Sequence, residues 1–225
     1  MWLIDSSIGR KLIMSITGVF LVLFLLFHSI MNIVVIISPE GYNMICEFLG
    51  ANWYALVGTS VLAGGFVVHI LYALYLSYQN MRARGAVRYA VNKNQKVVDW
   101  SSRNMLVLGA IVLGFLALHL YNFWFKMQFA EISGIETGAF HPADGAAYVS
   151  DLFSNWVYCA LYIVWLAALW FHLTHGIWSA LQTIGLNNKT WLPRVKVISN
   201  IISTIVILMF MSIPVYYLIG CSSCC

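Results

Sequence analysis

Charged side chains are scarce in this sequence, and their scarcity excludes a water-soluble protein. Only 9% of the 225 residues are Asp, Glu, Lys or Arg, whereas 61% are hydrophobic and 15% are aromatic. A soluble domain carries about 25% charged residues. Long apolar runs are present instead, at residues 11–37, 53–81, 101–128, 152–184 and 195–219. Since a membrane-spanning helix needs about 20 apolar residues, we expect an all-α integral membrane protein, one domain with five transmembrane helices.

Little sequence is left outside these runs, so any chemistry in water is expected to belong to a partner protein. The first run is longer than the hydrophobic region of a signal peptide and lacks a small-residue cleavage site, which indicates a retained span. The cysteines show no metal-ligand spacing. Their one cluster is the terminal C-S-S-C-C of Cys221, Cys224 and Cys225. We expect no special role for this cluster, and lipidation or a disulfide is the alternative.

Lys and Arg are nearly missing from one side of the predicted membrane. They precede the first run and fill the connections after the second and fourth runs, and Lys126 alone lies on the other side. The positive-inside rule therefore places the N-terminus in the cytoplasm. The basic connection at residues 82–96 would hold anionic lipid or dock a soluble partner.

The first external connection, residues 38–52, contains Y-N-M-I-C-E-F-L-G, which predicts a short interfacial helix. Glu47 in this stretch is flanked by Cys46 and Phe48. An acid buried at the membrane edge holds a proton more readily, so Glu47 would exchange protons with a quinol. A solvated loop acid is the alternative.

Carboxylates are missing from the interiors of the runs, where the ionisable groups are histidines. His28, His69 and His119 each stand in one run, and the fourth run contains His172 and His175. Ionisable groups inside a bilayer are costly and tend to pair or to bind something. One such histidine would suggest an interhelical hydrogen bond, whereas histidines on four helices indicate haem with two imidazole ligands.

The depth of the histidines sorts them into two pairs. Helical rise puts His28 about 15 Å and His119 about 18 Å from the outer surface, and His69 about 24 Å and His172 about 31 Å from it. We therefore predict an outer pair, His28 with His119, and an inner pair, His69 with His172. Each pair would supply both axial ligands of one haem iron, a state suited to electron transfer rather than gas binding.

His172 is predicted as the ligand in preference to His175, because His172 shares a helix face with Gly176, four residues later. Arg10 and Lys11 would meet lipid phosphates or haem propionates, with snorkelling as the alternative. The full set predicted in the haem environment or near the propionates is His175, Arg10, Lys11, Ser15 and Arg103.

Several motifs resemble one family over nearly the whole chain. They are R-K-L-I-M-S-I-T-G with His28, the His69 helix ending in N-M-R-A-R, S-R-N-M with His119, and H-L-T-H-G-I-W-S-A-L-Q-T-I-G from His172. Together they resemble the five-helix, two-haem cytochrome b subunit of succinate dehydrogenase or fumarate reductase. The resemblance implies two haem b groups on these four histidines, in a bacterial cytoplasmic (inner) membrane.

The same resemblance implies partners and a substrate. A FAD-containing flavoprotein subunit and an iron–sulfur subunit would dock on the cytoplasmic side, and a quinone, menaquinone in preference to ubiquinone, would react near the outer haem. Glu47 best matches the family's quinone-site glutamate. Some members carry an acid two positions before the fourth ligand, where this chain has Trp170, so that proton route is not implied. Membrane lipid is an expected partner and nucleic acid is not.

Two alternatives stay open from the sequence. The chain would be the cytochrome b subunit of a hydrogenase or formate dehydrogenase if its soluble partner differs. A haem-free transporter or proton channel would use the histidines as relays, although the spans lack the paired broken helices that transporters often have.

Overall fold

The structure is a computed structural model that describes residues 6–84 and 100–222, and every regular element in these ranges is helical. Residues 85–96 of the predicted basic connection, and Cys224 and Cys225 of the terminal cluster, lie outside the described residues. The elements are α1 (Ser7–Ile37), α2 (Pro39–Phe48), α3 (Trp53–Arg84), α4 (Trp100–Arg103), α5 (Met105–His119), a π-helix (Leu120–Phe129), α6 (Ala130–Ser133), α7 (Gly145–Ser154), α8 (Trp156–Thr183) and α9 (Trp191–Ser222).

Within the described residues, five segments are long and apolar enough to cross a membrane: α1, α3, the continuous run from α5 through the π-helix to α6, α8 and α9. The chain is therefore a multi-pass membrane protein, and the predicted number of spans is confirmed. Many large apolar side chains on these helices are exposed, such as Leu23 at 61% and Leu71 at 59%. In a bilayer that surface meets lipid instead of water.

The interfacial helix predicted after the first span is α2. Ser38 separates it from α1: its backbone N–H donates to the Val34 carbonyl, and its side chain accepts from the Gly41 N–H at 3.0 Å. Pro39 occupies the first turn of α2, where a missing N–H costs nothing. One serine thus ends the first span and starts the next helix.

The fourth span begins later than residue 152, because a separate helix, α7, precedes it. Asn155 has an extended backbone between the two helices, and its side chain accepts a hydrogen bond from the Val157 N–H at 2.9 Å. The Cys159 thiol donates to the Phe153 carbonyl at 3.1 Å, so a buried cysteine satisfies a carbonyl at this break. The predicted external connection therefore contains a helix of its own.

The third span changes its helical geometry at its histidine. The α-helix ends at His119, and the π-helix follows for ten residues. Such wider turns are rare and often occur at functional sites. Here the π-helix contains Asn122, which is buried with 4% of its surface exposed.

The spans form a ring of four helices with the fifth outside it. Helix α1 packs against α3 and α8, and α5 packs against α8 and more lightly against α3, which gives the order α3, α1, α8, α5 around the ring. Helix α9 packs against both α8 and α1. In this order α1 lies diagonally opposite α5, and α3 lies diagonally opposite α8.

The two ends of the bundle differ, and we name them the Arg10 end and the Asp144 end. At the Asp144 end α2 and α7 pack on each other: Asn43 donates to the Asp144 carboxylate at 2.8 Å and accepts from the Ala146 N–H at 2.9 Å. A core of buried residues that includes Val35, Phe153 and Trp165 lies beneath them. The Arg10 end has no comparable cap among the described residues.

Candidate functional site: two histidine pairs

The outer pair of histidines meets across one diagonal of the ring. The imidazole rings of His28 on α1 and His119 on α5 lie 6.0 Å apart, centroid to centroid, and are nearly perpendicular at 87°. Aromatic rings from several helices surround them. Phe24 stacks on His28 at 5.2 Å, and the others in contact with one of the two imidazoles are Phe210, Phe123, Trp165 and Tyr162.

The inner pair meets across the other diagonal. The rings of His69 on α3 and His172 on α8 lie 6.5 Å apart at 69°. The Thr17 hydroxyl oxygen lies 3.3 Å from Nδ1 of His69. The same two pairs that depth alone predicted are thus in contact in the folded chain.

Glycines lie against both inner rings. A methyl group added at Gly18 on α1 would lie 3.6 Å from Cε1 of His69, and one at Gly109 on α5 would lie 3.8 Å from Cε1 of His172. Gly176, which the sequence suggested as the glycine beside His172, has no atom within 4 Å of its added methyl position. The clearance beside the inner pair therefore comes from neighbouring helices.

His175 does not join the inner pair. Its ring lies 4.9 Å from that of Trp178, centroid to centroid. The Lys196 ammonium lies 4.6 Å from the centroid of the same Trp178 ring. His172 is the histidine of the fourth span whose ring faces His69.

The helices that carry each pair keep their backbones apart. Neither α1 with α5 nor α3 with α8 is among the closely packed helix pairs of the described chain. The histidine side chains therefore reach toward each other across the centre of the ring. The region between the diagonal helices is where a flat prosthetic group would have to lie.

The distances fit two imidazoles on opposite sides of one iron. Metal–nitrogen bonds of about 2 Å place the centroids of two such rings about 6 Å apart, close to the 6.0 and 6.5 Å found. Nδ1 of His119 and Nδ1 of His172 are buried and have no hydrogen-bond partner among the described residues. Buried polar atoms seldom stay unsatisfied, so the residues present fit a bound group at each pair.

A polar line runs from the outer pair toward the Asp144 end. The Asn32 amide nitrogen lies 3.2 Å from Nδ1 of His28, and the Tyr42 hydroxyl donates to the Asn32 oxygen at 2.9 Å. On the other side of the pair, Asn122 donates to the Tyr162 hydroxyl at 3.1 Å. The sequence reasoning missed these residues, although Asn32 stands one helical turn after His28, a spacing that brings side chains together.

Glu47, the predicted proton-exchanging acid, lies on α2 with an exposed side chain. Its proposed role stays a prediction.

Arg10 lies at the opposite end, beside α3. Its guanidinium donates to the Tyr75 hydroxyl at 3.2 Å and sits 5.7 Å from the centroid of the same ring. Arg10 and Arg82 line one cavity of about 480 Å³ together with Tyr75 and Tyr78. This cavity is a cationic site at the membrane edge, suited to a phosphate or a carboxylate.

The other predicted residues of the haem environment have different positions. Ser15 is buried, but its hydroxyl donates to the Lys11 carbonyl of its own helix at 2.9 Å. Lys11 and Arg103 have exposed side chains near the Arg10 end. Trp170 donates through its indole N–H to the Thr204 hydroxyl at 3.0 Å, so the position where an acid was considered joins α8 to α9.

No protein-family model, no curated protein and no solved structure matches this chain. The assignment of a function therefore depends on the geometry of the two histidine pairs and on the sequence motifs around them.

Proposed function

We propose that this chain is a two-haem cytochrome b, the membrane-anchor subunit of a succinate dehydrogenase or fumarate reductase. The observation that carries the proposal is the meeting of four histidines in two pairs, 6.0 and 6.5 Å apart, across the two diagonals of one helix ring. His28 and His119 would hold one haem b, and His69 and His172 would hold the other.

A haem with two imidazole ligands has no open position for oxygen and exchanges single electrons. The chain's own residues would hold and shield the two irons. At the outer pair a cage of aromatic rings excludes water, and at the inner pair Gly18 and Gly109 leave the imidazoles accessible to a flat group. The two pairs succeed each other through the bundle, so electrons would cross the membrane from one to the other.

The charges at the two ends support a soluble partner at the Arg10 end. Every Asp and Glu among the described residues lies at the Asp144 end, whereas all described Lys and Arg except Lys126 lie at the Arg10 end. Because the positive-inside rule favours it, the Arg10 end is proposed to face the cytoplasm, in a bacterial inner membrane. An iron–sulfur subunit and a FAD-bearing flavoprotein would dock there, and the dicarboxylate chemistry would occur in the flavoprotein.

The quinone is proposed to react at the Asp144 end, near the outer pair. Menaquinone is proposed in preference to ubiquinone, and Glu47 remains the proposed proton-exchanging acid. Because Glu47 is exposed on α2, it would act at the entrance from the outer aqueous side.

Purification of the protein in detergent, with whatever subunits accompany it, tests this function. We expect a reduced b-type spectrum with dithionite, two haems per chain by pyridine haemochrome, and partial reduction by succinate. A colourless protein would refute the haem proposal and favour a transporter. Two haems with reduction by hydrogen or formate, and no FAD-bearing subunit, would keep the cytochrome and replace the partner.

A further inference from the structure

The cavity at the Arg10 end is built from two helices. Its volume is about 480 Å³, and Arg10 lines it from the first turn of α1, whereas Arg82 lines it from the last turn of α3. Tyr75 and Tyr78 precede Arg82 by seven and four positions, so the three side chains share one face of α3. The cavity therefore brings together two arginines from different spans at one edge of the membrane.

The guanidinium of Arg10 is held in place but not fully satisfied. It donates to the Tyr75 hydroxyl at 3.2 Å, and its central carbon lies 5.7 Å from the centroid of the same ring. Its Nε is buried and has no hydrogen-bond partner in the described part of the chain. Since buried polar groups seldom stay unsatisfied, this N–H is available to an acceptor from outside the chain.

The charge of the cavity selects the kind of acceptor. Every described Asp and Glu lies at the Asp144 end, so neither guanidinium has an acidic partner among the described residues. A guanidinium binds the oxygens of a phosphate through parallel N–H donors. The cavity therefore suits an anionic phosphate, whereas a ligand that carries its own ammonium group would be repelled.

The cavity lies on the outside of the helix ring. Tyr78 follows His69 by nine positions, which is two and a half helical turns, so it lies on the face of α3 opposite the inner pair. Tyr75 and Tyr78 are 45% and 56% exposed, as is typical of tyrosines at the level of lipid headgroups. A ligand on this side comes from the surrounding bilayer, whereas a haem propionate would approach from the centre of the ring.

We propose that this cavity binds the phosphodiester of an anionic membrane phospholipid. The guanidinium groups of Arg10 and Arg82 bind the phosphate oxygens, and the exposed tyrosine rings contact the glycerol and the acyl chains below it. The lipid thereby joins the start of the first span to the end of the second. This inference goes beyond the proposed function and does not depend on it, because the site lies outside the ring.

Native mass spectrometry of the purified complex in detergent, titrated with phosphatidylglycerol, tests the site. We expect phosphatidylglycerol to bind more tightly than phosphatidylethanolamine, whose ammonium group the two arginines repel. Arg10→Gln and Arg82→Gln should each weaken the tightest phosphatidylglycerol site roughly ten-fold, because each removes charge-assisted hydrogen bonds to the phosphate. Tyr75→Phe should weaken it about two-fold, since only the hydroxyl that orients Arg10 is lost.

Lys189→Gln is the matched control, because Lys189 is an exposed cation at the same end of the bundle and does not line the cavity. Its affinity for phosphatidylglycerol should stay within about two-fold of wild type, since a distant exposed charge is screened by salt. Far-UV circular dichroism checks that each variant keeps its helices. Where Arg10→Gln fails to assemble, Arg82→Gln carries the test, since its side chain is exposed.

Three results would overturn the inference. Equal weakening in Lys189→Gln and in the two arginine variants would show attraction by the whole basic surface instead of a site. Phosphatidylethanolamine that binds as tightly as phosphatidylglycerol would exclude selection by charge. Displacement of phosphatidylglycerol by an equal concentration of inorganic phosphate would assign the cavity to free phosphate instead of a lipid.

The haem proposal is separated from this one by the same samples. Loss of a haem in Arg10→Gln with unchanged phosphatidylglycerol affinity would overturn the lipid site and assign Arg10 to a propionate. A colourless wild-type protein that binds phosphatidylglycerol as expected would refute the proposed function and support the lipid site.

Discussion

The outer and inner histidine pairs are similar in spacing but are built differently. The outer pair is enclosed by rings such as Phe24 and Trp165, and an asparagine holds one of its imidazoles. The inner pair faces Gly18 and Gly109 and meets a threonine hydroxyl. Bulky aromatic side chains surround the outer pair, whereas glycines, which lack side chains, lie beside the inner pair.

This difference predicts opposite sensitivities. Offset and edge-to-face aromatic contacts contribute roughly 0.5–1.5 kcal/mol each beyond burial, so the outer site loses stability when a ring is removed. The inner site has few such contacts to lose, but its clearance disappears when a side chain is added. Substitutions that remove or add bulk should therefore separate the two sites.

Under the proposed function, the largest effect is expected from removing a proposed haem ligand. His119→Ala should leave one haem of two, and His172→Ala should leave the other, because an iron that loses one of its two protein ligands is held weakly. Pyridine haemochrome and the reduced spectrum measure the loss. His175→Ala is the control and should keep two haems; equal losses in His172→Ala and His175→Ala would erase the distinction between these histidines.

The next effect is expected from adding bulk beside the inner pair. Gly18→Leu should cost most of the inner haem and leave the outer one, because even a methyl group at Gly18 would lie 3.6 Å from His69. Gly58→Leu is the matched control, since nothing lies within 4 Å of a methyl group there. The amount of each haem is measured separately, since the two are distinguished by their reduction potentials. Loss of the outer haem together with the inner one would contradict the prediction.

A smaller effect is expected from removing a ring beside the outer pair. Phe24 stacks on His28 with an angle of 20° between the rings, so Phe24→Ala should weaken outer haem binding by about 1 kcal/mol, roughly five-fold. The temperature at which the outer component is lost on heating measures this. Phe27→Ala, at a residue with 46% of its surface exposed, should leave that temperature unchanged.

The smallest effect concerns Cys46, which lies beside Tyr42 on α2. Burial raises the pKa of the Cys46 thiol to about 11. Since the thiolate is the reactive form, alkylation by iodoacetamide should be slow at pH 7 and accelerate about ten-fold per pH unit up to that pKa. Mass spectrometry of the Cys46 peptide gives the rate, and a rate that levels off near pH 9 would contradict the burial.

Several features of the fold could be predicted from residues alone. Apolar runs of more than 20 residues can satisfy their backbone groups in a membrane only as helices, which determined the five spans. The constant rise of a helix then placed His28 level with His119 before any contact was known. Helix α2 followed from the breakers Pro39 and Gly41 and from the polarity of the stretch after them.

Other features depended on how the helices pack. The break at Asn155 lies in a stretch that reads as continuous with the fourth span, and the π-helix after His119 has no periodic signal in the sequence. Gly109 faces His172 and Tyr42 reaches Asn32 from different helices. Spacing along one helix cannot reveal such neighbours, because rotation about each helix axis is decided by the whole bundle.

The sequence by itself determined that this protein crosses a membrane five times and carries histidines at two depths, because hydrophobic length and helical rise are local properties. Only the tertiary structure decided that His28 faces His119 and that His172, rather than His175, faces His69. Those contacts depend on the order of the helices around the ring, which is set by side-chain packing between segments far apart in the chain.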